Sequence, residues 1–250
     1  MFYGIPNDRK QDFQQALETI KDVYSGNVFY SDMLITIGRN LSFRRDQKFM
    51  SSYNNAATNN QEMSLIWRLH TLTWAAKNAL YVDGDFVECG VFKGFCSGAV
   101  LEYIDFQNLP RQAYLYDTFE GLPEKTSTAQ ERQDWNYKSY DSDEIFTGVC
   151  EKFSKYKNVN IVRGVVPDSF SQAVPEKIAF LHIDMNSEQA EMLALEHLFD
   201  KVTPGGFIIF DDFGWMSNKN QMAAELAFLF QRGHSIMELP TGQGLVIKHK

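Results

Sequence analysis

The sequence predicts an α/β fold in which a helical N-terminal extension precedes a mostly parallel sheet that ends in an antiparallel hairpin. From about residue 85 onward, short apolar runs alternate with amphipathic segments, and this alternation is typical of right-handed βαβ units. Near the C-terminus, only the loop Pro240–Gln243 separates two apolar runs, and strands joined so closely must be antiparallel.

Residues 1–80 are predicted to form a helical N-terminal extension or lid, and residues 81–250 the main domain. The clearest helix of the extension runs from Glu62 to Ala79, where apolar residues recur near the helical period. The segment from Ser51 to Gln61 is rich in Asn and Ser, and it is predicted to be a loop that could cover a site.

The main domain is predicted to contain five parallel strands covered by helices on both faces. The predicted strands are Phe86–Cys89, Ala113–Tyr116, Val159–Val162, Ile178–Ile183 and Phe207–Phe210. The predicted helices are Ser97–Asp105, Asp143–Lys155, Gln189–Lys201 and Gln221–Gln231. The C-terminal hairpin is predicted from Ile236–Leu239 and Leu245–Lys248.

The composition of the chain argues against several classes of function. With 250 residues, 44% of them hydrophobic, the chain can bury one large core. A net charge of -8 without a Lys/Arg cluster disfavours a nucleic acid or an anionic membrane as partner. Cys89, Cys96 and Cys150 lack the spacing of a disulfide framework or zinc site. No apolar stretch approaches the ~20 residues of a membrane span, so a soluble cytoplasmic protein is expected.

The stretch from Glu88 to Gly94 is the most informative motif. An apolar run ends at Glu88, and Gly90 and Gly94 follow before a helical pattern. A turn without side chains lets a ligand approach the backbone at the start of a helix. A phosphate-binding loop would continue with Lys and Ser or Thr, whereas Phe95 and Cys96 follow here. A dinucleotide motif needs one more glycine, so a nucleoside carrying an amino-acid tail is favoured.

Two further strand ends carry candidate ligand contacts, because ligands of open α/β sheets bind at the carboxyl ends of the strands. Asp117 follows Gly90 by 27 residues and resembles the acidic residue that binds ribose hydroxyls. The alternative is that Asp117 caps the turn that begins at Thr118. Gly164, after the third strand, marks the expected place of adenine contacts.

Three carboxylates, those of Asp184, Asp211 and Asp212, follow the fourth and fifth strands. Their mutual repulsion and desolvation are unfavourable unless a cation is bound among them. A hard divalent ion such as Mg²⁺ takes oxygen ligands and lowers the pKa of a bound hydroxyl. The alternative is that Asp184 or Asp211 binds the cofactor or a backbone N–H while Asp212 is solvated.

Three other side chains have two interpretations each. His182 points to the same face of its strand as Asp184, because strand side chains alternate with a period of two. It is a candidate proton acceptor, and a core histidine bonded to a backbone carbonyl is an equal alternative. Trp135 and Tyr137 could line the site of a sugar or aromatic acceptor, or they could simply pack.

Several segments together resemble the macrocin/mycinamicin (TylF-type) O-methyltransferases, from about residue 64 to the C-terminus. They are residues 86–94, 117–123, 164–169, 180–184, 204–214 and 239–245, and they include Phe-Leu-His-Ile-Asp at 180–184 and Leu-Pro-Thr-Gly-Gln-Gly-Leu at 239–245. The resemblance implies a class I methyltransferase fold with a Rossmann-like sheet. It also implies S-adenosylmethionine as methyl donor, Mg²⁺ as a bound ion, and a hydroxyl of a sugar or glycosylated small molecule as acceptor.

The resemblance further implies roles for individual residues. Asp184, Asp211 and Asp212 are the implied metal ligands, and Asp184 is the favoured general base, with His182 as the alternative. This sequence departs from the family at Asn186, since family members commonly carry Asp-Gly-Asp where Asp-Met-Asn stands here. The implied cofactor-binding residues are Glu88, Gly90, Val91, Gly94, Ser97, Asp117, Thr118, Gly164 and Asp184.

Two other functions fit parts of the pattern. A nicotinamide-dependent oxidoreductase would use a related sheet, but the missing glycine and the C-terminal hairpin count against it. A non-catalytic adenosyl-binding module would not need the acidic cluster.

The expected partner is a small-molecule or sugar acceptor rather than a nucleic acid or a membrane. The apolar N-terminal helix could form a homo-oligomer interface or could cover the sheet.

Overall fold

The computed structural model describes residues 5–135 and 142–250. The N-terminal part contains α1 (Lys10–Val23), β1 (Val28–Ser31), β2 (Leu34–Ile37), α2 (Gln47–Ala56) and α3 (Ile66–Ala79). The strands that follow are β3 (Asp85–Cys89), β4 (Ala113–Asp117), β5 (Val159–Arg163), β6 (Ile178–Ile183), β7 (Val202–Phe210), β8 (Met237–Glu238) and β9 (Gly244–Ile247). The remaining helices are α4 (Phe95–Tyr103), α5 (Ala129–Asp134), α6 (Ser142–Phe153), α7 (Glu188–Leu198) and α8 (Lys219–Gln231).

Among the described residues, the main sheet has seven strands in the order β5-β4-β3-β6-β7-β9-β8. The first five strands in this order are parallel. In contrast, β9 is antiparallel to β7, and β8 is antiparallel to β9. The predicted fold class, a mostly parallel sheet with an antiparallel C-terminal hairpin, is therefore confirmed.

The register of the parallel strands places their carboxyl ends side by side. Cys89 of β3 is opposite Ile183 of β6, and Ile183 is opposite Phe210 of β7. On the other side of the sheet, Asp117 of β4 is opposite Arg163 of β5. The residues that follow these strands therefore lie along one edge, which is where open α/β sheets bind ligands.

Helices cover both faces of the sheet, and each face has its own apolar core. On one face, Leu69 and Leu72 of α3 are fully buried. On the other face, Leu195 and Leu198 of α7 are fully buried. Each such leucine stabilises the fold by about 1.5–3 kcal/mol. Because α3 lies within residues 1–80, part of the predicted N-terminal extension shares a core with the sheet.

The segment from Ser51 to Gln61 is predicted to be a loop, and this prediction is wrong for its first half, since α2 continues to Ala56. Asp46 caps the helix by accepting the backbone N–H of Phe49 at 3.0 Å. Phe49 and Tyr53 are each only 2% exposed. The burial of these two aromatic side chains outweighs the low helix propensity of the surrounding Asn and Ser residues.

The hairpin formed by β1 and β2 is absent from the sequence-based prediction, which expects only helices and irregular connections in this part of the chain. Each strand has four residues, too few to establish a clear alternating pattern. Asp32, in the turn, is 3% exposed and accepts the backbone N–H of Trp67 at 2.7 Å. The hairpin is therefore attached to the first turn of α3, a contact that no local pattern reveals.

The other predicted elements are present, with shifts at their ends. The largest shift is in β7, which begins at Val202 rather than at Phe207. Gly205 and Gly206 extend this strand, since Gly205 donates its backbone N–H to the carbonyl oxygen of Lys248 at 2.6 Å and Gly206 accepts the backbone N–H of Lys248 at 2.9 Å. Within the ranges that the structure describes, no helix is both long enough and apolar enough to cross a membrane.

Candidate active site at the strand ends

The glycine turn between β3 and α4 lies against the end of β6. Gly90 has a φ of 91°, and a Cβ atom there would lie 1.8 Å from the carbonyl oxygen of Asp184. Cys89 accepts the backbone N–H of Asp184 at 2.8 Å. Gly90 is therefore required by the close approach of two segments of the protein. The sequence predicts ligand approach as the reason for this glycine, whereas the structure shows backbone in that space.

Gly94 is covered by the C-terminal end of α6. Its φ is 68°, and a Cβ atom there would meet the ring of Phe153 at 2.7 Å. Lys152 donates to the carbonyl oxygen of Lys93 at 2.8 Å, and burial lowers the pKa of Lys152. Contacts within the protein thus shape the turn at both glycines, and their contact with a cofactor stays a prediction.

Asp117 holds the glycine turn in place. Its carboxylate accepts the backbone N–H groups of Val91 and Phe92, both at 2.7 Å, and that of Phe119 at 2.6 Å. Burial raises the pKa of Asp117. A carboxylate has about four acceptor positions, so these three bonds leave little capacity for a ribose. The bond to Phe119 is the capping contact proposed as the alternative, and ribose binding stays a prediction.

Three other predicted cofactor residues have partners inside the protein. Thr118 donates to the carbonyl oxygen of Gly121 at 2.8 Å, within its own turn. Ser97 donates a short hydrogen bond to Glu88, and both side chains are buried. The other carboxylate oxygen of Glu88 lies 2.9 Å from Nδ1 of His182. Glu88 and Ser97 therefore face the interior of the protein.

A hydroxyl without a partner lies at the end of β5, where adenine contacts are expected. Gly164 donates its backbone N–H to the carbonyl oxygen of Asp117 at 2.9 Å. The Ser169 side chain lies 3.1 Å from the position that a Cβ atom on Gly164 would take. Its Oγ is buried and has no hydrogen-bond partner in the described part of the chain. Such orphaned buried groups are uncommon, and this one fits a ligand bound at this end of the sheet.

The acidic cluster lies at the ends of β6 and β7. His182, Asp184 and Asp211 each offer one ligand atom, and these atoms lie within 4.8 Å of one another. This group contains His182 where the sequence predicts Asp212. Burial, together with the charge of Asp212, raises the pKa of Asp184 to about 7. Burial also raises the pKa of Asp212. The local electrostatics therefore favour a bound cation or proton.

Asp211 has a positively charged partner that the sequence analysis does not find. Its carboxylate pairs with the guanidinium of Arg68, which comes from α3. It also accepts a hydrogen bond from the Gln243 side chain at 2.9 Å. The charge of Arg68 opposes the rise in the pKa of Asp184 and of Asp212. Asp211 therefore already has a cationic partner, whereas the prediction expects a bound ion to be the cation of this cluster.

The sequence does indicate that Arg68 lies on the buried face of its helix. Residues four positions apart share a helix face, and Arg68 precedes the fully buried Leu72 by four positions. A cation on the apolar face of a helix must find a buried partner. The partner itself is not readable from the sequence, because Asp211 lies 143 residues further along the chain.

His182 is enclosed by two carboxylates. Its Nδ1 lies 2.9 Å from Glu88 and its Nε2 lies 3.4 Å from Asp211, and the residue is only 1% exposed. A proton acceptor for a substrate needs an accessible nitrogen, which His182 lacks. A histidine bonded to a backbone carbonyl, the alternative, does not describe this arrangement either. His182 instead links Glu88 to Asp211 and holds both in position.

Asn186 places an oxygen without a partner beside Asp184. Its Nδ2 is 3.5 Å from a carboxylate oxygen of Asp184, while its Oδ1 is buried and accepts no hydrogen bond from a described residue. Hard cations such as Mg²⁺ prefer carboxylate and amide oxygens. Asp184, Asp211, Asp212 and Asn186 therefore supply oxygens of the chemical type that such an ion prefers.

A second carboxyl pair supports the loop after β6. Glu191 of α7 accepts the backbone N–H of Met185 and the side chain of Gln221, both at 2.9 Å. Glu225 of α8 is fully buried, and burial raises its pKa to about 7. Burial and the proximity of Glu225 also raise the pKa of Glu191. Both oxygens of the Glu225 carboxyl group are buried without a hydrogen-bond partner in the described part of the chain, and two adjacent buried carboxyl groups disfavour double ionisation, so a protonated Glu225 is favoured. The sequence alone does not predict this pair.

The predicted acceptor-lining residues have only partial structural support. Trp135 follows α5, is half-buried, and donates its backbone N–H to the carbonyl oxygen of Glu131 at 2.9 Å. Tyr137 lies outside the described residues. The contact of these two aromatic residues with an acceptor therefore stays a prediction.

Comparisons with known proteins match most of the chain to one family. A family model described as Macrocin-O-methyltransferase (TylF) matches residues 44–238, more than half of the chain. Mycinamicin III 3''-O-methyltransferase from Micromonospora griseorubida is 30% identical over 161 residues. From Streptomyces olivaceus, 8-demethyl-8-(2,3-dimethoxy-alpha-L-rhamnosyl)-tetracenomycin-C 4'-O-methyltransferase is 28% identical over 159 residues.

Each of these matches covers only part of this chain and part of the relative. Each relative matches 58% of this chain, and the matches cover 62% and 60% of the relatives, so the chain spans about three fifths of their length. Among solved structures, the O-methyltransferase NovP has a TM-score of 0.61 and 21% identity, over 74% of this chain and 81% of that chain. This likeness supports the fold described above.

Proposed function

The chain belongs to the macrocin O-methyltransferase (TylF) family, and from this premise we propose that it methylates a hydroxyl of a sugar or glycosylated small molecule. The methyl donor is S-adenosylmethionine, and Mg²⁺ is the bound ion. The observation that carries the proposal is the cluster of His182, Asp184 and Asp211 at the ends of β6 and β7, beside the glycine turn. Cation-assisted transfer to a hydroxyl needs such a cluster next to the donor site.

The acceptor class is supported by the relatives. The Streptomyces olivaceus protein is named for a rhamnosyl-bearing tetracenomycin, and the Micromonospora griseorubida protein is named for O-methylation of mycinamicin III. The net charge of -8 disfavours nucleic acid as an acceptor. A sugar hydroxyl is accordingly the acceptor that we propose.

The donor is proposed to bind along the ends of β3, β4 and β5. The residues available there are those of the glycine turn, together with Asp117 and Gly164, and the unpartnered hydroxyl of Ser169 lies at the far end. In this proposal, a ribose hydroxyl donates to the acceptor position of the Asp117 carboxylate that its three backbone hydrogen bonds leave open.

The acidic cluster would supply the metal site and the general base. The ion would be held by Asp184, Asp211 and Asp212, with the oxygen of Asn186 beside them, and when bound it would favour ionisation of an acceptor hydroxyl. Asp184 is the only one of these aspartates with partial exposure, so it can reach a substrate. Burial and Asp212 raise the pKa of Asp184 to about 7 in the absence of an ion, and a bound cation would lower that pKa and keep the carboxylate ionised and able to accept a proton.

The rest of the site would align the reactants. The methyl group of a sulfonium is already activated, so the protein must place a hydroxyl in line with it and remove one proton. His182 contributes by holding Asp211 and Glu88. Residues 1–80 are proposed to cover the site, because α3 delivers Arg68 to the acidic cluster. Such a cover would limit access of water to the reaction.

Methyl transfer from labelled S-adenosylmethionine to matched acceptors tests the proposal. The panel contains rhamnosylated small molecules, the same molecules without the sugar, and a catechol. We expect product only from the glycosides. Product only from sugar-free acceptors would contradict the proposed acceptor class. No product from any acceptor, with intact donor binding, would favour the non-catalytic adenosyl-binding module.

The three proteins compared above are all methyltransferases, which argues against a nicotinamide oxidoreductase.

A further inference from the structure

Arg68 reaches the acidic cluster from the N-terminal extension. It lies in the first turn of α3, and its guanidinium pairs with Oδ2 of Asp211. The Arg68 side chain is 12% exposed, and the Asp211 side chain is fully buried. Solvent and salt screen a buried pair of this kind only weakly. Arg68 is therefore a strongly coupled positive charge at the proposed metal site.

Asp211 has little capacity left for another ligand. In addition to Arg68, it contacts the Gln243 side chain at 2.9 Å and the His182 ring at 3.4 Å, both through Oδ1. A carboxylate offers about four acceptor positions, and three side chains already surround this one. A divalent ion on Asp211 would also lie beside a guanidinium of like charge. Arg68 and an ion therefore compete for Asp211.

The guanidinium of Arg68 is incompletely satisfied in its present position. Its Nε is buried and has no hydrogen-bond acceptor within the described ranges. A buried donor without an acceptor is destabilising, so this position lacks the full set of bonds that would fix the side chain. Such an arginine can leave its carboxylate more readily than one that is bonded through all of its N–H groups.

The backbone of Arg68, in contrast, is anchored. Asp32 accepts the backbone N–H groups of Trp67 at 2.7 Å and of Arg68 at 3.3 Å. The backbone N–H of Asp32 donates in turn to the carbonyl oxygen of Ser64 at 2.8 Å. The turn of the β1–β2 hairpin therefore fixes the start of α3. Movement of Arg68 away from Asp211 is confined to its side chain.

We propose that Arg68 is a positioning residue that neutralises Asp211 in place of the divalent ion and must be displaced when the ion binds. This inference rests on the metal-assisted function proposed above. If the two cations compete, removing the charge of Arg68 strengthens ion binding. Removing an arginine elsewhere on the same extension leaves ion binding unchanged.

The test is a calorimetric measurement of Mn²⁺ affinity in saturating S-adenosylhomocysteine. The proteins are wild type, Arg68→Gln, Arg68→Lys and Arg45→Gln. Arg45 is exposed in the N-terminal extension and controls for the loss of one positive charge. We expect Arg68→Gln to bind Mn²⁺ about tenfold more tightly than wild type. Arg68→Lys keeps the charge and should stay within about threefold of wild type, and Arg45→Gln should match wild type.

Equal or weaker Mn²⁺ binding by Arg68→Gln, with an unchanged thermal unfolding midpoint, would overturn this inference and leave the metal site standing. If that variant does not fold, a crystal structure of the wild-type protein with Mn²⁺ decides the question. Separation of Arg68 from Asp211 supports displacement, and a retained pair beside a bound ion refutes it. Failure of wild type and of every variant to bind Mn²⁺ would reject the proposed metal site, and this inference with it.

Discussion

At the scale of single residues, the proposed proton transfer depends on Asp184. The backbone of Asp184 is fixed, because its N–H donates to Cys89 at the end of the neighbouring strand. Its carboxylate lies beside Asp212 and has a pKa of about 7. Asp211 and His182, by comparison, are enclosed by other side chains. Asp184 is therefore the member of the cluster best placed to act on a substrate.

Asp184→Asn keeps the shape of the side chain and removes its charge and its ability to accept the proton. We expect kcat to fall on the order of 100-fold to 10,000-fold, the usual contribution of general acid–base catalysis. The affinity for S-adenosylhomocysteine should change by less than about threefold. Asp83→Asn, at an exposed aspartate paired with Lys177, is the matched control and should behave as wild type. Near-normal turnover by Asp184→Asn would remove Asp184 from the mechanism.

Asp117→Ala tests the link between the glycine turn and the donor. The substitution deletes three hydrogen bonds to backbone N–H groups, so the free energy of unfolding should fall by about 2–4 kcal/mol. S-adenosylhomocysteine affinity should fall at least about tenfold. Urea denaturation and calorimetry measure the two effects, with Asp168→Ala, at an exposed aspartate, as the control. Loss of stability with unchanged affinity would leave Asp117 a capping role alone.

At the scale of elements, the carboxyl pair of Glu191 and Glu225 connects two helices to the active site. Glu191 belongs to α7 and Glu225 to α8, and Glu191 holds the backbone of Met185. Met185 is the residue directly after Asp184, so the packing of both helices affects the position of the proposed base. Protonation of Glu225 would relieve the repulsion between the two carboxyl groups, so this helix contact is expected to be sensitive to pH.

Stability is expected to depend on pH through Glu225. Its pKa is raised from 4.5 to about 7, so the folded protein keeps a proton that the unfolded chain releases between these values. The resulting stabilisation is complete below pH 4.5 and is lost as the pH rises through about 7. Glu225→Gln keeps the side chain neutral. We expect it to remove on the order of 3 kcal/mol of the pH dependence.

Urea unfolding at about pH 5 and about pH 8 measures this effect, and Glu225→Gln should be more stable than wild type at the higher pH. Glu196→Gln, at an exposed position of α7, is the control and should retain the wild-type pH dependence. If Glu225→Gln and wild type lose the same stability between the two pH values, Glu225 is not protonated in the folded protein.

At the scale of the whole molecule, the sheet is the part of the fold that the sequence predicts best. Parallel strands are buried on both faces, so they are continuously apolar, as in Ile178–Ile183, where every residue is buried and both predicted ends are correct. The N-terminal extension is predicted less well. Its hairpin and much of α2 are stabilised by distant parts of the chain, as the contact of Asp32 with Trp67 illustrates.

The candidate site, like the fold, has parts that the sequence predicts and parts that depend on contacts between distant residues. The positions of Asp184 and Asp211 at neighbouring strand ends are predictable, because the chain order of strands and the register of a parallel sheet place them there. The contact of Arg68 with Asp211 and the pairing of Glu191 with Glu225 are not predictable in this way. Both join separate elements of the fold, and side-chain packing in three dimensions, rather than local pattern, decides them.

The central proposal is that a divalent ion held by Asp184, Asp211 and Asp212 would assist methyl transfer to a sugar hydroxyl, and it is supported by the acidic strand ends, where Asp184 and Asp211 lie close together, and by the family of the chain. The most direct measurement is the rate of methyl transfer to a rhamnosylated acceptor in excess EDTA and after Mg²⁺ is restored. We expect the rate to fall on the order of 100-fold in EDTA and to recover with Mg²⁺. Full activity in excess EDTA would contradict the claim.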